Sequence, residues 1–168
     1  MSRAARLVAT VGGIGRLRPA PGTWASAAAI LAALGLYAAG GFLLLAAATV
    51  AVAALGFWAC ERDLPTREDQ DPDEIVVDEI AGQWLACCFP AAAFFARDVP
   101  EPALMPWPAW VAAFVLFRLF DVRKPWLAGR ADRAGGVRGV MMDDLWAGVF
   151  AGVATIVLGV AYHLWLFA

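Results

Sequence analysis

The chain has 168 residues, a formal net charge of −2 and a 62% hydrophobic composition, with a mean hydropathy of +0.68. A soluble domain of this size is usually about 45–50% apolar, so the excess, gathered in long blocks, indicates an integral membrane protein with one domain over residues 1–168. The charge balance gives no basic footprint for nucleic acid, and Cys60, Cys87 and Cys88 lack the CxxC spacing of a zinc or disulfide framework.

The N-terminal residues 1–22 read as an interfacial segment and loop. Arg3 and Arg6 precede a short Gly-rich apolar run, Leu7 to Ile14, and Arg16 and Arg18 follow it instead of a small-residue cleavage site. Thr23 to Gly40 is the first spanning segment, opened by Pro21-Gly22-Thr23. Gly40-Gly41 is a tight turn, and Phe42 to Cys60 is the second span. Glu61 to Glu74 is a charged loop. Ile80 to Ala96 is the third span, expected to be interrupted at Pro90, which removes a helix hydrogen bond. Arg97 to Pro108 is a proline-rich loop. Trp110 to Phe120 is the core of a fourth span that can begin at Trp107. Asp121 to Met142 reads as a basic, Gly-containing loop, and Leu145 to Phe167 as the fifth span. The expected fold is an all-α polytopic transmembrane bundle of about five apolar helical segments.

Charge then orients the bundle. With five spans, the N-terminus and the loops at 61–79 and 121–144 share one side, which carries twelve of the thirteen Lys and Arg residues; Arg97 is on the other. The positive-inside rule places that side in the cytoplasm. Trp24, Trp58, Trp126 and Trp146 mark this boundary, and Trp107, Trp110 and Trp165 the far one.

This topology brings the ionisable residues to one membrane face. Asp143 and Asp144 are adjacent carboxylates at the threshold of the last apolar run, and Asp78-Glu79 opens the third. Each pair alone suits the first turn of a helix. Together with Asp121 they form an all-oxygen set, without thiolate or imidazole. That chemistry suits Mg²⁺, or else Mn²⁺ or Ca²⁺, better than zinc. Like charges side by side where the dielectric falls also call for a cation.

Arg118, Asp121 and Lys124 follow at i, i+3, i+6. Arg118 lies inside an apolar run, where a guanidinium costs about 2.5–3.5 kcal/mol at mid-bilayer and less near the boundary. It is either an ion pair with Asp121 or a fork for phosphate oxygens, with Lys124 and Arg133 adding positive charge. The helix start at Pro21-Gly22-Thr23, with the hydroxyls of Thr23 and Ser26, is a further candidate phosphate cradle, although Pro-Gly-Thr is more often a plain turn. A metal beside Arg and Lys at a lipid–water boundary points to phosphoryl chemistry on a lipid headgroup. In that scheme a Mg²⁺-bound water attacks phosphorus and the cations stabilise its equatorial oxygens. An aspartyl nucleophile is the alternative.

Other phosphatase types fit poorly. Six residues after Cys60 stands Thr66, so no Cys-x5-Arg loop exists. The sole histidine, His163, is at the opposite face. No apolar strand precedes Asp69-Gln70-Asp71.

The ordered motifs resemble the phosphatidylglycerophosphatase A family of bacterial membrane lipid phosphatases. They are GIG at 13–15, APGT at 20–23, IVVDEIAG at 75–82, FRLFDVRKPW at 117–126, DR at 132–133, and Gly-x-x-Gly-Val-Met-x-Asp-Asp-x-x-Ala-Gly from Gly136 to Gly148. The resemblance implies Mg²⁺-dependent hydrolysis of phosphatidylglycerophosphate to phosphatidylglycerol and phosphate, in the inner membrane with the headgroup cytoplasmic. Ala25, where the family often has glycine, and the basic Arg16 and Arg18 depart from its usual pattern. Two non-enzymatic readings compete: a divalent-cation transporter, and a non-catalytic assembly subunit whose charged face docks a partner.

Overall fold

The computed structural model describes residues 3–66, 72–97 and 106–166. The Asp69–Asp71 pair, the tip of the 97–108 loop and the expected span end at Phe167 lie outside them. The described residues form helices and the turns between them, without strands. The helices are α1 (Arg3–Ala9), α2 (Pro21–Asp63), α3 (Val77–Phe95), α4 (Trp107–Arg123), α5 (Trp126–Ala134) and α6 (Gly136–Leu166), with 3-10 turns at Val11–Arg16 and Leu64–Thr66.

Helix α2 is two arms. Gly40 (φ −160°, ψ 22°) and Gly41 (φ 61°, ψ −154°) break the helical torsions, and the positive φ of Gly41 is one that glycine adopts without penalty. Ala29 of the first arm and Val52 of the second pack in one cluster with Val76 and Ile80, so the chain doubles back at the expected turn. An unbroken helix of this length would measure about 65 Å, whereas each arm is about 30 Å.

The stretches Pro21–Thr66 and Gly136–Leu166 are long and apolar enough to cross a membrane. Only 22% and 28% of their most apolar windows are buried, so their apolar side chains point outward, including Leu31, Leu43, Val50, Val157 and Leu164. A soluble core helix would bury them. Helix α3 is the opposite case: its first seven residues and most of its middle are buried, and it packs chiefly against α6 and α2.

Three expectations are corrected. Helix α3 runs unbroken through Pro90. The proline forfeits one backbone bond, but Ala86 and Ala91 on either side are fully buried, and the Phe89 ring fills the space over Gly152 of α6, so packing holds the helix. The basic stretch 121–142 is mostly helix, divided among the end of α4, α5 and the start of α6. Its Ala, Leu, Arg and Met residues are good helix formers, and the turns are confined to Lys124-Pro125 and to Gly135-Gly136, with Lys124, Gly135 and Gly136 at positive φ. Trp110 is buried, edge-on to Tyr37 with ring centroids 5.8 Å apart, so it is a core residue and not a boundary anchor. The three cysteines are buried, as expected.

The N-terminal segment is built into the bundle. Ala5 and Ala9 of α1 are fully buried, the Val76 amide donates to the Ala9 carbonyl at 3.0 Å, and Arg6 pairs with buried Asp63 at 3.3 Å.

Helices α3 and α6 meet at two glycines. A Cβ on Gly82 would lie 2.5 Å from the Asp144 carbonyl oxygen, and one on Gly148 would lie 2.4 Å from the Gly82 carbonyl oxygen. Backbone cannot yield as a side-chain tip can. Gly148→Ala should therefore destabilise the protein by about 1–3 kcal/mol through overpacking. Gly35→Ala, where a Cβ meets nothing within 4 Å, should not. Thermal unfolding of both variants in detergent checks this; equal melting temperatures would refute the contact.

Candidate metal centre

Three helices deliver the acidic groups to one place. The first turn of α3 carries Asp78 and Glu79. The last turn of α4 carries Asp121. Helix α6 carries Asp143 and Asp144 two turns beyond its start, not in its first turn. All five line one cavity of about 270 Å³, together with Arg118, Lys124, Asp73 and the chain at Ala20–Gly22. Asp78, Glu79, Asp143 and Asp144 are each at most 9% exposed.

Within this group, Glu79, Asp121 and Asp144 each offer a carboxylate oxygen, and these oxygens lie within 4.8 Å of one another. Asp78 and Asp143 take a different part, the same one twice. Asp78 Oδ1 accepts from the Glu79 amide at 2.9 Å, and Asp143 Oδ1 accepts from the Asp144 amide at 2.9 Å. In each pair the first acid fixes the backbone and the second reaches the triad. Three carboxylates at this spacing, Glu79 and Asp144 buried and Asp121 partly so, repel one another unless a cation neutralises them. The donor set fits a hard divalent cation, since it is all oxygen and drawn from separate, packed elements.

The positive groups are tied to this set. Arg118 Nη1 donates to both Glu79 oxygens, at 2.7 and 2.6 Å, and pairs with Asp121 Oδ2 at 2.7 Å. The ion pair with Asp121 expected from the spacing is present, and it stands in the wall of the cavity. Lys124 Nζ donates to Asp143 Oδ2 at 2.8 Å and also to Asp132. Burial alone would depress the Lys124 ammonium; its hydrogen bonds to Asp132 and Asp143 outweigh that and hold its pKa above the usual lysine value. Lys124 closes α4 in the left-handed region (φ 44°, ψ 57°). That conformation costs a non-glycine residue about 1 kcal/mol or more, and it turns the chain so that Nζ returns toward α6.

The helix start at Pro21-Gly22 has a use that its sequence did not disclose. A Cβ on Gly22 would fall 1.9 Å from Glu79 Oε1, so glycine lets the start of α2 press against a triad carboxylate. Ser26, buried one turn on, donates to Glu79 Oε2 at 2.7 Å and alternatively to the Gly22 carbonyl at 2.9 Å; one hydroxyl proton serves one of these at a time. Ser26 therefore holds Glu79. Thr23 and Arg133 are exposed and do not line the cavity. Asp132, noted in the sequence only within the DR motif, does not line the cavity either but holds Lys124; that pairing depends on α5 folding back along α6, which spacing alone does not reveal.

Comparison with known proteins follows the same lines. The family model described as phosphatidylglycerophosphatase A matches residues 7–159. A Bacteroides thetaiotaomicron protein named "Putative phosphatidylinositol-3-phosphatase" is 36% identical over 149 residues, covering 86% of this chain and 87% of its own. The phosphatidylglycerophosphatase A of Haemophilus influenzae is 29% identical over 159 residues, covering 94% and 89%. That of Escherichia coli is 32% identical over 115 residues, covering 65% and 56%. No solved structure matches the chain. The family match takes in every carboxylate of the cavity, and the chain belongs to the phosphatidylglycerophosphatase A family, a family of phosphatases.

Proposed function

We propose that the protein hydrolyses the terminal phosphate monoester of phosphatidylglycerophosphate, with Mg²⁺, giving phosphatidylglycerol and phosphate at the cytoplasmic face of the bacterial inner membrane. The observation that carries this reading is the joining of Glu79, Asp121 and Asp144 with Arg118 and Lys124 in one cavity. The relatives named phosphatidylglycerophosphatase A support the substrate.

Glu79, Asp121 and Asp144 would hold the cation, which when bound supplies Lewis-acid polarisation of the phosphoryl oxygens. Arg118, now shared among carboxylates, is placed to share its charge with a phosphoryl group instead. Lys124 keeps its charge and adds a second positive point at the cavity wall. Asp78 lines the same cavity with one oxygen free of hydrogen-bond partners among the described residues, and is the group we assign to take the proton from an attacking water. Five crossings are supported by the break in α2 and by α3, α4 and α6, each about 25 Å or longer. The cytoplasmic placement rests on the distribution of Lys and Arg.

The Bacteroides relative favours a second reading with the same chemistry on another headgroup, a phosphate monoester on inositol. Phosphate release from the two lipids, compared in the same micelles, separates them.

Release from phosphatidylglycerophosphate should require Mg²⁺ and vanish with excess chelator; release that survives chelation would refute the metal's role. Asp144→Asn should lower kcat by about 10²–10⁴-fold, while the cation-free melting temperature holds or rises because repulsion in the triad is relieved. Gly22→Ala should displace the Glu79 carboxylate and cost about 10²-fold in kcat with little change in melting temperature. Normal turnover by Gly22→Ala would remove that contact from the mechanism.

A further inference from the structure

Among the described residues some cations pair with carboxylates and others are exposed without an ion pair; Arg3, Arg62 and Arg97 are of the second kind at scattered places, and four more stand close together in the chain. Arg6, Arg16, Arg18, Arg118 and Lys124 each meet a carboxylate. Arg123, Arg130, Arg133 and Arg138 are all exposed, and none makes an ion pair among the described residues. These four come from one short stretch, the end of α4, α5 and the first turn of α6, the stretch that also carries Lys124 of the cavity wall.

Their depth is ordered. The ring of Trp126, at the start of α5, lies 5.7 Å from the ring of Phe150, well into the apolar part of α6. At the other end of α5, the Ala131 and Asp132 carbonyls lie against Gly139, near the start of α6. Helix α5 therefore climbs from the apolar region toward the charged face. Trp126 is 79% exposed at the lower end, and the exposed Val115, Leu119 and Val122 of α4 run up to it. Arg130 and Arg133 stand one and two turns above Trp126 on the same exposed side of α5. An apolar stripe, a boundary tryptophan and unpaired guanidiniums above it form the sequence of layers that a lipid–water interface presents.

We propose that Arg123, Arg130, Arg133 and Arg138 form a collar that binds the headgroups of anionic phospholipids of the surrounding bilayer, with Trp126 and Leu127 seating α5 at the boundary. Charge complementarity selects the occupant, since unpaired guanidiniums at headgroup depth match phosphate and carboxylate groups. The collar would enrich anionic lipid next to a cavity fitted to an anionic headgroup. The inference rests on the membrane placement above, and not on which headgroup is hydrolysed.

The test is lipid association of the full chain reconstituted in phosphatidylcholine vesicles, read by electron spin resonance with spin-labelled phosphatidylserine against spin-labelled phosphatidylcholine. The wild-type chain should prefer phosphatidylserine about fivefold or more, and the preference should fade as salt rises. Arg130→Gln with Arg138→Gln should lose most of it, and Arg130→Lys with Arg138→Lys should keep it. Phosphate release by the Gln pair should show a raised KM in mole fraction of substrate with kcat unchanged. Equal association of the two lipids with the wild-type chain overturns the collar, whether or not either variant folds. A wild-type chain that prefers phosphatidylserine yet releases no phosphate would instead fault the functional reading and leave the collar standing.

Discussion

The separation of α3 and α6 is set where Gly82 and Gly148 bring two backbones into contact. Glu79 lies three residues before Gly82, and Asp144 four before Gly148, so each carboxylate is about one turn from the contact and on its side of its helix. A methyl group at either glycine would push the helices apart and widen the triad. Small residues serve the same purpose wherever helices pack in lipid, because water does not drive them together there. Here the close approach also fixes a distance between charges.

The charge arrangement follows from that distance. Among the described residues, Asp78, Glu79, Asp121, Asp143 and Asp144, with Asp73, share their cavity with two cations, Arg118 and Lys124. Arg118 spans Glu79 and Asp121, and Lys124 spans Asp143 and Asp132. The carboxyl of Asp144 receives neither of these cations, although it is 3% exposed. The cavity is thus left with an excess of negative charge centred on the triad. Gly22 and Ser26, from the start of α2, hold the remaining side of Glu79. Each of the long helices α2, α3, α4 and α6 therefore contributes to one set of distances.

Much of this was legible in the chain. The apolar blocks gave the helical class, Gly40-Gly41 gave the turn, and the acids gathered from the edges of apolar runs line one cavity. What could not be read was orientation and depth. Thr23 and Ser26 are close in sequence and both hydroxylic, yet one is exposed and the other buried on Glu79, a difference set by the rotation of α2. Gly22 read as part of a turn because a glycine's use in close approach depends on a neighbour 57 residues away. The stretch 121–142 read as loop because its charges mask good helix formers, and with α5 hidden, Asp132 could not be joined to Lys124. Pro90 read as a break because its cost is local and the packing that offsets it is not.

The central claim is that Glu79, Asp121 and Asp144 hold a divalent cation between three helices. Titration of the purified, chelator-treated protein with Mn²⁺, following the free ion by electron paramagnetic resonance, tests it without recourse to turnover. The account predicts saturable binding that Mg²⁺ competes away and that Asp144→Asn or Glu79→Gln weakens at least about tenfold. Unchanged Mn²⁺ affinity in both variants would contradict it.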